Sequence, residues 1–126
     1  MKTTAVSCVL FVLLICGTVF SQYAIESACE NLSNEAKTLQ DAVQKGDWDT
    51  ADGLVRELKD DWEKTEKWIT ALTNHGDTDV IATVLASVTQ FERFREIPEL
   101  MAEVHTLSEH FMHIPKKQRP TLQNIL

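Results

Sequence analysis

The sequence is short of the residues that most enzyme signatures are built from. Its four glycines, Gly17, Gly46, Gly53 and Gly76, stand far apart, so neither a glycine-rich phosphate cradle nor a dinucleotide fingerprint can be written from it. It holds three cysteines, and Cys8 and Cys16 fall in an apolar N-terminal run, which leaves Cys29 alone and excludes an internal disulfide framework. Positive charge is also scarce. Lys116, Lys117 and Arg119 cluster near the C-terminus, so residues 22–115 carry eight bases against nineteen acids, a net charge of −11. Such a surface repels phosphate backbones, and no nucleic-acid partner is expected. Serines outside the N-terminal run, including Ser27, Ser33, Ser87 and Ser108, lie in helical contexts with no sharp strand-to-helix turn to expose a nucleophilic hydroxyl. Repeats, low-complexity tracts, glycine-serine linkers and convincing strands are all missing.

What is present is an apolar N-terminus and then periodic helix. No charged side chain occurs from Thr3 to Ile25, after a single lysine at Lys2. A spanning helix needs about 20 apolar residues, and this stretch reaches that length with Gln22 and Tyr23 at its interface end. A signal peptide competes with this reading, because Val19, Phe20 and Ser21 form a weak cleavage site after Ser21. Leu13, Leu14, Ile15 and Cys16 imitate a lipoprotein cleavage box, but bulky Ile15 stands where a small residue belongs. In both main readings Lys2 stays inside the cell, so the rest of the chain crosses to the far side.

Beyond the apolar run, Ile25, Ala28, Leu32, Ala36, Leu39 and Val43 recur every three or four residues, the spacing of one buried helical stripe. Gly46 ends that helix and Asp47 caps the next, whose stripe runs through Trp48, Ala51, Val55, Leu58, Trp62, Ile69 and Leu72 to about Thr73. So short a turn makes the two helices antiparallel neighbours. Asn74 to Asp79 reads as a turn, with Gly76 as a left-handed stop and Thr78 or Asp79 as the following cap. Ile81, Val84, Leu85, Val88, Phe91 and Phe94 mark a third helix, broken at Ile97 and Pro98. Leu100, Met101, Val104, Leu107, Phe111 and Met112 mark a fourth, to about His113. Pro115 and Pro120 bracket an irregular basic link, after which Leu122, Ile125 and Leu126 form an apolar patch. At 126 residues, with the N-terminal run set aside, the chain has room for one small core.

The histidines supply the candidate ligands. His105, Glu109 and His113 follow one another at intervals of four on one helical face, the spacing of a metal-binding helix. They lack the tighter His-Glu-x-x-His arrangement and a fourth ligand, and His110 and His113 near a helix end equally complement its negative pole. His75, Asp77 and Asp79 form a second donor cluster, which helix capping also explains. Trp68, Leu72 and His75 share a stripe beside the main seam and are expected to fix the corner between helices two and three. Cys29 reads as a small buried filler, with a bridge to a second chain as the alternative. Asn31, Leu32 and Ser33 match a glycosylation acceptor but fall inside a helix.

Several features together resemble the family called domain of unknown function 4363, over essentially the whole chain. They are the N-terminal apolar segment, the acidic helical domain, Gly46-Asp47-Trp48 followed by Ala51, the Trp62, Trp68 and His75 spacing, and the terminal Leu122, Asn124, Ile125 and Leu126. The resemblance implies a small membrane-anchored helical protein of Firmicutes, working in the cell envelope beside a multi-spanning membrane protein. It brings no catalytic or binding residues.

The expectation is therefore an all-α protein, with an N-terminal transmembrane or signal-anchor helix followed by an antiparallel three- to four-helix bundle. Residues 1–21 form the anchor or signal segment, whose apolar stretch extends to residue 25. Residues 22–115 form the bundle, and residues 116–126 the basic link and apolar tail. The expected role is that of a non-catalytic accessory or interaction module at the cytoplasmic membrane, its bundle outside, touching lipid through the N-terminal segment and using no cofactor. The alternatives are a small ligand- or metal-sensing bundle and a chain secreted after cleavage near Ser21. The oligomeric state is left open by the sequence.

Overall fold

A computed structural model describes residues 1–118, which form four helices and no strand: α1 (Lys2–Gln44), α2 (Trp48–Ile69), α3 (His75–Arg93) and α4 (Ile97–Gln118). The helix α1 runs unbroken for 43 residues, about 64 Å at the helical rise of 1.5 Å per residue. The uncharged segment thus continues straight into the bundle. Residues 1–20 are exposed on every face, while Ile25, Cys29, Leu32, Ala36, Leu39 and Val43 are buried.

Each helix packs on the next and α4 closes back on α1, which makes a ring of four antiparallel helices. At the centre the rings of Trp62 and Phe111 meet with centroids 5.9 Å apart and planes tilted by 48°. Around them lie Leu39, Leu58, Ile69, Ile81, Val88, Leu100 and Leu107, all but completely buried. Burying each such side chain contributes about 1.5–3 kcal/mol, which makes this seam the main source of stability. One polar pair interrupts it: the Ser33 and Ser108 hydroxyls meet at 2.9 Å between α1 and α4, one donating to the other. Ser33 of the glycosylation-like triplet is therefore spoken for inside the core.

Two turns share one geometry. After α1, Gly46 adopts φ +72° while its N–H bonds the Val43 carbonyl and that of Asp47 bonds the Ala42 carbonyl. After α3, Arg95 adopts φ +55°, its N–H bonding Glu92 and that of Glu96 bonding Phe91. Both are Schellman stops, the second with a residue that carries a Cβ. The Arg95 guanidinium lies 5.2 Å from the centroid of the Trp48 ring, a cation–π contact that offsets part of the backbone strain. Asp47 caps α2 as anticipated, accepting from the Thr50 N–H at 3.2 Å and the Thr50 hydroxyl at 2.7 Å. Those two bonds, the hydroxyl's foremost, hold its carboxyl below the usual range.

Three boundaries differ from the sequence reading. The helix α2 stops at Ile69: the Thr73 N–H still bonds the Ile69 carbonyl in helical fashion, but the Leu72 N–H makes a tighter i−3 turn to the same oxygen, which the Thr73 hydroxyl also caps. The cap of α3 is Asn74, not Thr78 or Asp79: its extended backbone and a 2.8 Å bond from the Gly76 N–H start the helix a turn earlier. Gly76 consequently lies inside the first turn and is no left-handed stop, and Thr78 is buried with its hydroxyl on the His75 carbonyl. The helix α4 continues past His113 to Gln118 with Pro115 inside it. A proline there forfeits one ladder hydrogen bond, but Ile114 and Pro115 are buried and the Pro115 carbonyl accepts from Gln22 Nε2 at 3.2 Å. Tertiary packing thus carries the helix through a residue that local preference would use to stop it. The patch of Leu122, Ile125 and Leu126, together with Arg119 and Pro120, lies outside the described residues.

Candidate functional site

The two histidine sets do not converge on a common point. His105, Glu109 and His113 lie exposed along α4, and His75 and Asp79 lie exposed at the start of α3 with Asp77 partly buried. Among the described residues, the group whose possible ligand atoms do converge is Glu35, Glu57 and Asp61, all within 4.8 Å of one another. These three are acids that the sequence reading left aside.

Their meeting follows from the helices. On α2, Glu57 and Asp61 are one turn apart and flank Leu58 and Trp62, which face the core. On α1, Glu35 precedes the buried Ala36 and therefore stands at the rim of the same seam. The tight turn at Gly46 sets side by side those residues of α1 and α2 whose numbers sum to about 93, so Glu35 falls opposite the stretch between Glu57 and Asp61. A shallow groove of about 510 Å³ opens there, lined by Asn31, Glu35, Asp61, Lys64 and Trp68 among others.

The electrostatics favour a held proton. The Glu35 carboxyl is pushed up from 4.5 to about 8, first by burial, then by its hydrogen bond with Asp61, then by the charges of Asp61 and Glu57. Its Oε2 is buried with no hydrogen-bond partner. A carboxylate there would face two like charges, whereas a carboxylic acid can donate to Asp61. The oxygens are also of the kind that hard cations choose, but three of them fall short of the six to eight that calcium takes.

A second pair repeats the arrangement across α2 and α3. Glu92, 8 % exposed, meets Asp52 and is pushed up to about 7, first by burial and then by Asp52, while the charges of Arg95 and Arg56 act in the opposite direction. Its Oε1 is likewise buried and unmatched. The helix α2 is thus joined to both neighbours by carboxyl pairs that need a proton. Cys29 is wholly buried, and burial pushes its thiol up to about 12, the state of an inert filler.

The remaining notable feature is the apolar end. The helix α1 is the one helix among the described residues that is long and apolar enough to cross a membrane. Inside that segment the Thr18 hydroxyl bonds the Leu14 carbonyl at 2.9 Å, so its polar hydrogen is satisfied within the helix.

Compared with known proteins, the chain matches one family model, described as a domain of unknown function, over residues 19–125. No curated protein and no solved structure matches it. The matched stretch starts where the apolar segment ends and takes in the whole bundle, so the chain belongs to the DUF4363 family.

Proposed function

We propose that this chain is a membrane-tethered, non-catalytic interaction module, whose bundle stands outside the cytoplasmic membrane as an accessory to a multi-spanning protein of the cell envelope. The observation that carries the reading is the single helix α1, which joins a fully exposed apolar segment to a packed bundle without a hinge. Exposed apolar side chains on every face of a helix suit lipid, since water would charge about 25 cal/mol for each Å² of them. The positive-inside rule favours Lys2 in the cytoplasm and the bundle, with its net charge of −11 over residues 22–115, on the opposite side. The non-catalytic part rests on where the converging groups sit: Glu35, Glu57 and Asp61 meet between α1 and α2, where their carboxyls join two packed helices.

The test is extraction of the full-length protein from its native membranes in mild detergent, followed by the mass and composition of the particle. The expected result is a stoichiometric complex with a second, multi-spanning membrane protein, and a chain that retains residues 1–21. A lone chain in the soluble fraction, trimmed near Ser21, overturns the tether and the accessory role together.

A further inference from the structure

The apolar segment and the far end of the bundle meet in a way the sequence does not announce. Leu72, in the link between α2 and α3, lines one groove with Leu13, Leu14, Gly17, Ser21 and Ile25 of α1. The corner therefore reaches down beside the segment that would enter the bilayer. By the register of the α1–α2 turn, the backbone of Leu72 lies level with about Ser21 and that of Trp68 with about Ile25, the Trp68 ring leaning outward into the groove it lines with Ala28 and Asn31. On the other side of α1, the bond from Gln22 Nε2 to the Pro115 carbonyl brings the end of α4, with exposed Lys116, to the same level.

Depth follows from length. Thr3 to Phe20 is 18 uncharged residues, about 27 Å of helix, which nearly fills a hydrocarbon core of about 30 Å. Residues 21–25 then lie in the headgroup layer, together with whatever is level with them. What is level with them has interfacial chemistry: Tyr23 is 70 % exposed, Leu72 42 % and Trp68 37 %, and Lys67 and Lys116 are exposed beside them. Tryptophan, tyrosine and lysine are the residues that settle where hydrocarbon gives way to headgroups.

We propose that the α2–α3 corner, through Trp68 and Leu72, seats in the headgroup layer of the bilayer that α1 enters, giving the bundle a second membrane contact. The inference rests on the spanning reading of α1 given above. With it, the bundle is held close against the surface instead of standing free on one helix. The contact continues the apolar surface of residues 13–25, and its occupant is lipid.

The three tryptophans supply the test. Trp48 lies at the opposite end of α2 and Trp62 is buried in the core, so Trp68 is the tryptophan that headgroup-level quenchers should reach. The full-length chain is placed in phosphatidylcholine vesicles that carry bromine near the headgroup, and its fluorescence is compared with that in unbrominated vesicles. The expected result is a quenched fraction that disappears in Trp68→Phe and persists in Trp48→Phe. A chain that floats with the vesicles and shows no quenching, or quenching that Trp68→Phe leaves unchanged, overturns the inference while the spanning reading stands. A chain that does not float with the vesicles overturns both.

Discussion

The two halves of α1 are one continuous helix with opposite fates. Residues 2–20 are apolar on all sides and exposed on all sides, whereas residues 25–44 are apolar along one stripe and buried along it. Hydrophobicity alone does not predict burial, since the more apolar half is the bare one. What separates them is periodicity: a stripe every three or four residues matches the faces of α2 and α4, while an unbroken coat matches only a surrounding medium.

The largest test of this contrast removes bulk from each half's environment. Trp62→Ala, at the centre against which the second half packs, should lower bundle stability by about 3–5 kcal/mol, while Phe11→Ala in the first half should leave it unchanged. Chemical denaturation in detergent micelles measures both, and comparable losses would break the comparison. Next, an arginine at Val12, outside the groove that Leu13 shares with Leu72, should make insertion about 2.5–3.5 kcal/mol less favourable and shift the chain out of the membrane fraction, with no change in the melting of the bundle. A bundle that melts earlier with Val12→Arg would show that the two halves are not independent.

A third test sharpens the difference in what each half tolerates. The first half holds no acid, whereas the second carries Glu35 at the rim of the seam with its carboxyl pushed up to about 8. Below pH 4.5 both the folded and the unfolded chain keep that proton. As the pH rises from there towards 8 the unfolded chain ionises first, so the stability that the proton supports is lost across this window. Glu92 adds a loss of the same sign, complete nearer pH 7. Glu35→Gln, which mimics the protonated state, should raise stability at pH 8 by about 1–2 kcal/mol, less than the bare shift because the carboxyl is partly solvated. Urea midpoints for wild type and variant should coincide in acid and separate as the pH rises. Midpoints that separate in acid instead would reverse the assignment.

The smallest effects concern the ends of helices α1 and α3. Gly46→Ala should cost about 1 kcal/mol, the penalty for a Cβ at positive φ. Arg95→Gly relieves a similar strain but removes the contact with Trp48, so its thermal shift should be near zero. A large stabilisation by Arg95→Gly would show that the stacking contributes little.

Where sequence and structure part, the reasons are local. Most of each stripe and the stop at Gly46 are properties of neighbouring residues and lie where their spacing puts them. Leu72, Phe94 and Met112, expected on the stripes, are instead exposed, and α3 ends in the turn at Arg95, ahead of Pro98, which falls in the first turn of α4. Pro115 stays inside α4 for a reason no local signal carries: its carbonyl takes the bond from Gln22 of α1, more than ninety residues away along the chain, beside a buried Ile114. His105, Glu109 and His113 have the spacing of ligands but lie exposed along α4, and among the described residues their ligand atoms join no converging group. Glu35, Glu57 and Asp61 carry no local mark that sets them apart from the other acids of the chain; the register of the Gly46 turn is the signal that places Glu35 between the other two.

The sequence by itself determined an all-helical chain, an uncharged first segment and the direction in which each helix turns back, because propensity, periodicity and capping act over a few residues. Only the tertiary structure decided which acids share a proton, which serines pair and how far the α2–α3 corner reaches along the apolar helix. Those depend on contacts between side chains far apart in the chain, where burial removes the water that would otherwise keep each charge and hydroxyl indifferent to its neighbours.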